Sequence, residues 1–232
     1  MTIFIGVALT RAGSATEDLR QIWLDRYLPL VHKLPGLVRF DWNVAAERFS
    51  RETDSTFAAM PVLGFTRFTF ADGVTLKDVL ASEAGKAMLA LEAEHLQEHI
   101  VLEVEELTVI DPPARHSPGL MKTMSILRRA DGASTEQFLH EWRVVHIPMV
   151  KQIRQVIGYR QNRVLNRLRN WTQPIDDVAF PFDGSVELWY PSLEKMQEAA
   201  ASPEAQVTGA HAYRTSSRIE KFQIHDVREW PL

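Results

Sequence analysis

Apolar residues cluster in short runs that predict a β-strand at the start of each half of the chain. The first run extends from Ile3 to Leu9, and a similar run extends from Met121 to Leu127. Each run is followed by a helix start signal with acidic residues in the first turn, and then by bulky apolar residues at helical spacing. The pattern therefore predicts a strand followed by an amphipathic helix, twice in one chain.

The two halves also share identical residues, which recur in order at a shift of about 119 residues. The matched pairs include Thr16/Thr135, Glu17/Glu136, Trp23/Trp142, Pro29/Pro148, Asn43/Asn162 and Gly64/Gly184. Matches that stay in order indicate an internal duplication. Residues 112–119 contain three prolines and a glycine, which favours an extended linker between a first repeat, 1–111, and a second repeat, 120–232.

Both halves continue with two strands, a helix and a last strand, which gives the order β-α-β-β-α-β twice. The later strands are predicted at Leu37 to Asn43, Gly64 to Phe70, Ile100 to Ile110, Ile157 to Asn162, Gly184 to Tyr190 and Ile219 to Val227. This order is ferredoxin-like, and one such sheet leaves an apolar face that needs cover. We therefore predict an α+β fold in which two ferredoxin-like repeats pack sheet to sheet as an α/β barrel within one chain.

Composition narrows the function mainly by exclusion. Hydrophobic residues make up 45% and charged residues 24% of the chain, as in an average soluble protein. The net charge of −4, without a dense basic stripe, argues against a nucleic-acid partner. No apolar run approaches the roughly 18 residues of a membrane helix, and the N-terminus lacks the basic region of a secretory signal. We therefore expect a cytoplasmic protein without a membrane partner.

Several kinds of chemistry are also disfavoured. The chain has no cysteine, which excludes thiolate metal sites and cysteine nucleophiles. Its 11 glycines are scattered, so no phosphate-binding loop supports a nucleotide cofactor, and there is no G-x-S-x-G nucleophile elbow. Proton transfer without a cofactor is the enzyme class that remains most natural.

His146 is the leading candidate for that chemistry. Phe138, Trp142 and His146 are spaced four residues apart, so they share the helix face that packs on the sheet. A histidine at the inner end of such a stripe can act as a general acid or base near neutral pH. The alternative is a buried histidine that bonds a backbone carbonyl where the helix ends.

Other polar residues are candidates to assist His146. Tyr159 and Tyr190 are predicted as catalytic partners, and the predicted substrate-binding residues are Trp142, Asn162, Arg163, His211 and Tyr213. Strand alternation places Tyr159 and Asn162 on opposite faces, so these side chains do not all line one pocket. Arg163 begins an arginine-bearing segment, 163–183, which is either a lid for an anionic substrate or a solvated charge run.

One short motif suggests a metal. The segment His95-Leu-Gln-Glu-His99 matches the H-x-x-E-H pattern of one class of zinc enzymes. On a helix its histidines would share a face, but no third ligand follows at a suitable spacing. We predict a solvated helix end and no bound metal.

The second half resembles the EthD domain of the dimeric α/β-barrel superfamily. The resemblance rests on Arg128-Arg129, Thr135-Glu136-Gln137-Phe138, Gly158-Tyr159, Asn162 and the motif Phe-x3-Trp-x3-His-x-Pro-x-Val, whose residues are Phe138, Trp142, His146, Pro148 and Val150. Related barrels include muconolactone isomerases and polyketide dehydratases and cyclases, and they place a catalytic histidine in this cavity. The first half is a looser match and carries Tyr27 where the second half carries His146, so the resemblance implies a degenerate first repeat.

The resemblance implies a cofactor-free lyase or isomerase that acts on a small-molecule substrate, an organic acid or aromatic compound. The reaction would be a decarboxylation, dehydration, cyclisation or lactone isomerisation with His146 as general acid or base. Two alternatives stay open: a small-molecule binder or accessory to an oxygenase system, and an oxidoreductase of the haem-related barrel type. A homodimer of this chain is likewise left open.

Overall fold

Eight long strands close into a barrel in the computed structural model, which describes residues 1–11, 16–50, 61–114 and 119–231. The strands are β1 (Thr2–Thr10), β2 (Leu37–Ser50), β3 (Val62–Phe70), β4 (Leu96–Ile110), β5 (Met121–Arg129), β6 (Gly158–Arg169), the short β7 (Gln173–Pro174), β8 (Gly184–Tyr190) and β9 (Ser216–Pro231). The predicted linker includes residues 115–118, which lie outside the described residues.

The helices cover the outside of this barrel. Helix α1 consists of Thr16–Ile22, a π-helical turn Trp23–Tyr27 and a last turn Leu28–Val31; α2 is Leu76–Ala81, and α3 is Glu83–His95. Helix α4 consists of Thr135–Leu139, a π-helical turn His140–Val145 and a last turn His146–Val150; α5 is Leu193–Ala201, and α6 is Pro203–Thr215. The start signal of α4 is a full capping box between Ser134 and Gln137. No helix in the described ranges is long and apolar enough to cross a membrane.

The strand order confirms the predicted fold. The first half is ordered β4-β1-β3-β2 and the second β9-β5-β8-β6, which is the same ferredoxin-like order twice. Antiparallel pairing of β2 with β9 and of β4 with β6 joins the two sheets edge to edge and closes the barrel. Strands β2 and β6 extend well beyond their predicted ends to make these pairings. Residues 163–169 of the arginine-bearing segment therefore belong to the sheet.

A charged cluster lies inside the barrel. Glu187 is 1% exposed, and its carboxylate accepts hydrogen bonds from Lys122 Nζ at 2.6 Å and from Arg67 Nη1 at 3.1 Å. Lys122 Nζ also donates to Asn43 Oδ1 at 2.9 Å. Burial alone would raise the pKa of Glu187, but Lys122, Arg67 and Arg160 hold it well below its usual range. Glu187 is therefore an ionised group at the centre of the barrel.

Aromatic side chains fill the space between sheet and helices in the first half. Trp23 stacks on Tyr27 with ring centroids 4.8 Å apart, and Trp171, which follows β6, packs edge-on against Phe68. Tyr27 is fully buried, so it is a core residue at the position that His146 occupies in the second half.

A buried carboxylate organises this aromatic cluster. Tyr27 Oη donates to Glu92 Oε1 at 2.6 Å, and Trp171 Nε1 donates to Glu92 Oε2 at 2.9 Å. Nδ1 of His99 lies 3.0 Å from Glu92 Oε1. Burial, followed by the charge of Glu92, raises the pKa of Tyr27 well above its usual value. The hydroxyl of Tyr27 therefore stays protonated and acts as a structural donor.

The H-x-x-E-H pattern does not lie on one helix. Helix α3 ends at His95 and β4 begins at the next residue, so the expected solvated helix end is wrong for His99. His99 is 1% exposed and faces Glu92, while Glu98 pairs with Arg169. Within the described part of the chain, no three His, Asp or Glu side chains are grouped to hold a metal ion.

Candidate functional site

A cavity of about 710 Å³ lies in the second half, between the outer face of the sheet and helices α4, α5 and α6. Its apolar walls include Trp142, Val150, Val186, Leu188, Met196 and Ile219. Its polar lining includes Thr123, Ser125, His146, Tyr159, Tyr190, Tyr213, Lys221 and Gln223. A largely apolar cavity with a few convergent polar groups is typical of a small-molecule site.

His146 enters this cavity from α4 and is linked to two further side chains. Nδ1 of His146 lies 3.2 Å from Nδ1 of His211 on α6, and the two rings are stacked at 26° with centroids 5.3 Å apart. Nε2 of His211, which is 4% exposed, lies 3.1 Å from Glu141 Oε2. The structure thus connects Glu141, His211 and His146 in one chain of hydrogen bonds.

The π-helical turn of α4 brings Glu141 into this chain. The backbone N–H of His146 donates to the carbonyl oxygen of Glu141, five residues earlier. Residues five apart lie on different faces of a regular α-helix, but they are aligned in a π-helical turn. The single turn therefore places Glu141 and His146 on the same side of α4, with His211 between their side chains.

The direction of the protons follows from the chemistry of the groups. A carboxylate only accepts hydrogen bonds, so His211 Nε2–H donates to Glu141. The other nitrogen of a neutral His211 then accepts, and His146 Nδ1–H donates to it. This arrangement leaves Nε2 of His146 with a free lone pair, which is the form that a general base requires.

The environment keeps His146 neutral. Burial, followed by the charge of His211, lowers the pKa of His146 to about 4. His146 is therefore unprotonated at neutral pH, when it can accept a proton but has none on Nε2 to give. A proton taken up at Nε2 can be shared through Nδ1 with His211 and stabilised there by Glu141.

This low pKa makes stability depend on pH. The folded-state pKa of His146 lies below its unfolded value of about 6.5, so the unfolded chain binds more protons between these two values. The contribution of His146 is present above pH 6.5 and is lost as the pH falls to 4. We expect a loss on the order of 2 kcal/mol in the free energy of unfolding over this window, relative to His146→Gln. Urea unfolding of both proteins at several pH values measures it.

The control for this comparison is His140→Gln, since His140 is exposed on the same helix. Its unfolding free energy should follow that of the native protein at every pH. Parallel pH profiles for the native protein and His146→Gln would contradict the prediction.

Two buried tyrosines supply hydroxyl groups to the cavity. Tyr159 Oη accepts a hydrogen bond from Gln161 Nε2 at 2.5 Å, and Gln161 Nε2 also donates to the carbonyl of Trp142 at 3.0 Å. Tyr190 is hydrogen-bonded to Thr123. Burial raises the pKa of Tyr190 to about 12 and that of Tyr159 further. Both tyrosines therefore stay protonated and can donate to an oxygen atom of a ligand.

Trp142 forms part of the apolar wall. Its ring stacks on Phe138 with centroids 5.1 Å apart, and a Cβ atom at Gly184 would lie only 2.4 Å from it. The glycine at the start of β8 thus gives the indole room to lie against the strand. Gly64, its counterpart in the first half, instead approaches the backbone of Asn43.

The structure brings most of the predicted site residues together. His146, Tyr159, Tyr190, Trp142 and Tyr213 line the cavity, and His211 adjoins it through His146. Two further residues, Glu141 and Lys221, lie at the site without a sequence pattern that marks them. The spacing of Glu141 does not place it near His146 unless the π-helical turn is known, and nothing local marks Lys221 as a cavity residue.

Two predicted substrate-binding residues lie elsewhere. Asn162 points into the barrel, where its Nδ2 donates to Glu187 Oε1 at 3.1 Å. This placement follows the predicted alternation with Tyr159. Arg163 faces outward past the cavity, with its Nη1 3.9 Å from Glu105 Oε2.

The arginine-bearing segment 163–183, for which the sequence left open a lid and a solvated charge run, begins as part of the sheet. Residues up to Arg169 belong to β6, and Arg167 donates to the backbone carbonyls of Phe180 and Phe182. Through these hydrogen bonds Arg167 connects β6 to the segment that follows it. Neither Arg163 nor Arg167 is among the cavity-lining residues described above.

One protein-family model matches part of the second half of the chain. Residues 130–212 match the EthD domain, a range that holds His146, both cavity tyrosines and His211. No curated protein matches the chain.

Solved structures share the fold of nearly the whole chain. An anthrone oxidase-like protein is 9% identical, with a TM-score of 0.64, and the match covers 98% of this chain and 92% of the other. A candidate monooxygenase from Lactobacillus acidophilus NCFM is 9% identical, with a TM-score of 0.58 and coverages of 97% and 94%. One from Fusobacterium nucleatum is 7% identical, with a TM-score of 0.54 and coverages of 98% and 93%. At these identities the likeness shows the fold alone: the chain has the α/β-barrel fold of these proteins, and its residues 130–212 match the model of the EthD domain.

Proposed function

We propose that this protein is a cofactor-independent enzyme of the lyase or isomerase type, with His146 as its general base. The observation that carries the proposal is the hydrogen-bonded chain Glu141–His211–His146 at the wall of an apolar cavity. A partly buried, neutral imidazole that is oriented by a second group is the arrangement that proton abstraction requires.

The proposed substrate is a small organic acid, lactone or aromatic ketone with a C–H bond next to a carbonyl group. Nε2 of His146 takes this proton, and the electron pair of the C–H bond moves toward the carbonyl oxygen to give an enolate. Tyr159 and Tyr190 are positioned to line the same space and can donate hydrogen bonds to that oxygen. Return of the proton to another atom of the substrate gives an isomer, and loss of a leaving group gives an elimination product.

His211 and Glu141 act in this scheme through His146. The imidazolium formed at His146 would be costly in a buried site, as its lowered pKa indicates. Sharing of the proton with His211, next to the carboxylate of Glu141, offsets that cost. His211 and Glu141 are therefore positioning residues that make a weak base effective at neutral pH.

The proposal is tested by proton exchange, which requires no knowledge of the product. Aryl ketones, lactones and arylacetic acids are incubated with the protein in D₂O and followed by ¹H NMR, with and without oxygen. We expect at least one class to exchange its C–H proton or to be converted at a rate that is proportional to protein concentration. A ligand that binds, shown by calorimetry, without exchange or conversion would favour the binding or accessory role, and turnover that requires oxygen would favour an oxidoreductase.

A further inference from the structure

Lys221 lies at the cavity floor in a strip of polar residues. Its strand, β9, pairs with β5 so that Lys221 is opposite Ser125 and Gln223 is opposite Thr123. All four residues line the cavity. Directly opposite residues in an antiparallel pair have side chains on the same face within contact distance, so the strip is continuous. The polar strip is therefore a built part of the cavity, on the sheet side, while His146 enters from the helix side.

Lys221 differs from the other lysines with described contacts because it has no carboxylate partner among the side chains that the structure describes. Lys122 lies inside the barrel 2.6 Å from Glu187, and Lys195 on α5 lies 2.7 Å from Glu198. Burial lowers the pKa of Lys221. An ammonium group in an apolar site without a counter-ion is costly, and an anionic ligand would relieve that cost.

We propose that Lys221 is the anion-binding group of this cavity and that the ligand is an apolar compound with a carboxylate at one end. The carboxylate would accept hydrogen bonds from Lys221 and from the neighbouring Ser125 or Gln223. This inference rests on the proposed function for the role of the ligand as substrate, because it names the acid class among the candidate substrates. The contact with Lys221 also fixes the orientation of the ligand in the cavity. Its acid group lies on the sheet, and its apolar body lies along Trp142 toward His146.

The size and the lining of the cavity agree with such a ligand. The cavity of about 710 Å³ is large enough for a compound with one or two rings. Its helix side carries the apolar side chains Trp142, Val150 and Met196. A partly buried cation that faces an apolar wall selects a molecule with one charged end, since a second charge would be left unpaired at that wall.

The test uses a matched pair of probes, 2-naphthoate and its neutral amide 2-naphthamide, and calorimetric titration of the full chain. For the native protein we expect the acid to bind at least about tenfold more tightly than the amide, since a charge-assisted hydrogen bond is stronger than a neutral one. In Lys221→Met the preference should disappear through weaker binding of the acid, while the affinity for the amide stays within about twofold. Lys221→Arg should keep part of the preference.

The control variant is Lys86→Met, because Lys86 is exposed on α3 in the first half and should leave both affinities unchanged. If Lys221→Met does not fold, as judged by circular dichroism, Lys221→Gln replaces it as the neutral variant. Equal binding of acid and amide by the native protein, or a preference that survives in the neutral variant, overturns the proposal.

The same measurements separate this inference from the proposed function. His146→Ala should still prefer the acid over the amide, because it retains Lys221, even though it has lost proton exchange. A loss of the preference in His146→Ala, together with its survival in Lys221→Met, would assign the anion site to the histidine pair and overturn the role of Lys221.

Discussion

His146→Ala should lower the rate of catalysed proton exchange or turnover by about 10²–10⁴-fold, the range typical of an oriented general base. The variant removes the only group of the Glu141–His211–His146 chain that lines the cavity within the described residues. The fold should persist, because His146 is a partly buried side chain at the end of α4 and makes a small contribution to the core. The rate is measured by NMR in D₂O on the substrate class that the native protein exchanges.

Two comparisons make the result specific to the base. His140→Gln changes an exposed histidine on the same helix and should keep the native rate. Added imidazole can enter the space left in His146→Ala and should restore part of the rate, which a purely structural role of His146 would not produce. Full activity of His146→Ala would show that the base lies elsewhere in the cavity.

Glu187→Leu should lower the free energy of unfolding by about 3–5 kcal/mol, because it leaves the buried Lys122 without its counter-ion and removes one of the two carboxylates that pair with Arg67, the other being Glu106. Lys122 and Arg67 both donate to Glu187, and they are 2% and 4% exposed. Urea unfolding monitored by tryptophan fluorescence measures the change, since the indole of Trp189 lies 4.6 Å from Lys122 Nζ.

The exposed pair Lys195–Glu198 provides the matched control. Glu198→Leu removes a carboxylate from a surface ion pair of similar length and should leave the unfolding free energy nearly unchanged, because solvent screens an exposed pair. The double variant Lys122→Met/Glu187→Leu should recover part of the loss, because it also removes the cation that Glu187→Leu leaves unpaired. A change below about 1 kcal/mol for Glu187→Leu would mean that the cluster adds no stability to the closed barrel.

Local sequence patterns are sufficient to predict much of the fold of this protein. The in-order repeat of Trp23/Trp142 and Gly64/Gly184 predicts two equivalent units, and the element order predicts their ferredoxin-like fold. The spacing of Phe138, Trp142 and His146 predicts a shared face, since side chains four apart on a helix adjoin. These features depend on the periods of strand and helix, which short stretches of sequence record directly.

Strand alternation also separates residues that are close in sequence. Tyr159 lines the cavity and Asn162 lies inside the barrel, as their opposite parity predicts. The same rule does not reveal which outward-facing residues a helix covers. Arg163 shares the parity of Tyr159 but lies beyond the cavity, beside Glu105.

The remaining features are decided by contacts between distant parts of the chain. His146 and His211 are 65 residues apart, and Glu141 and His211 are 70 apart, so no local spacing predicts their hydrogen bonds. Trp171 comes from the second half but completes the aromatic core of the first through Glu92. Sequence alone thus determined the two repeats and the helix face that carries His146. The tertiary structure decided which repeat keeps an open cavity and which groups meet His146 there, because both depend on how the closed barrel brings separate strands and helices together.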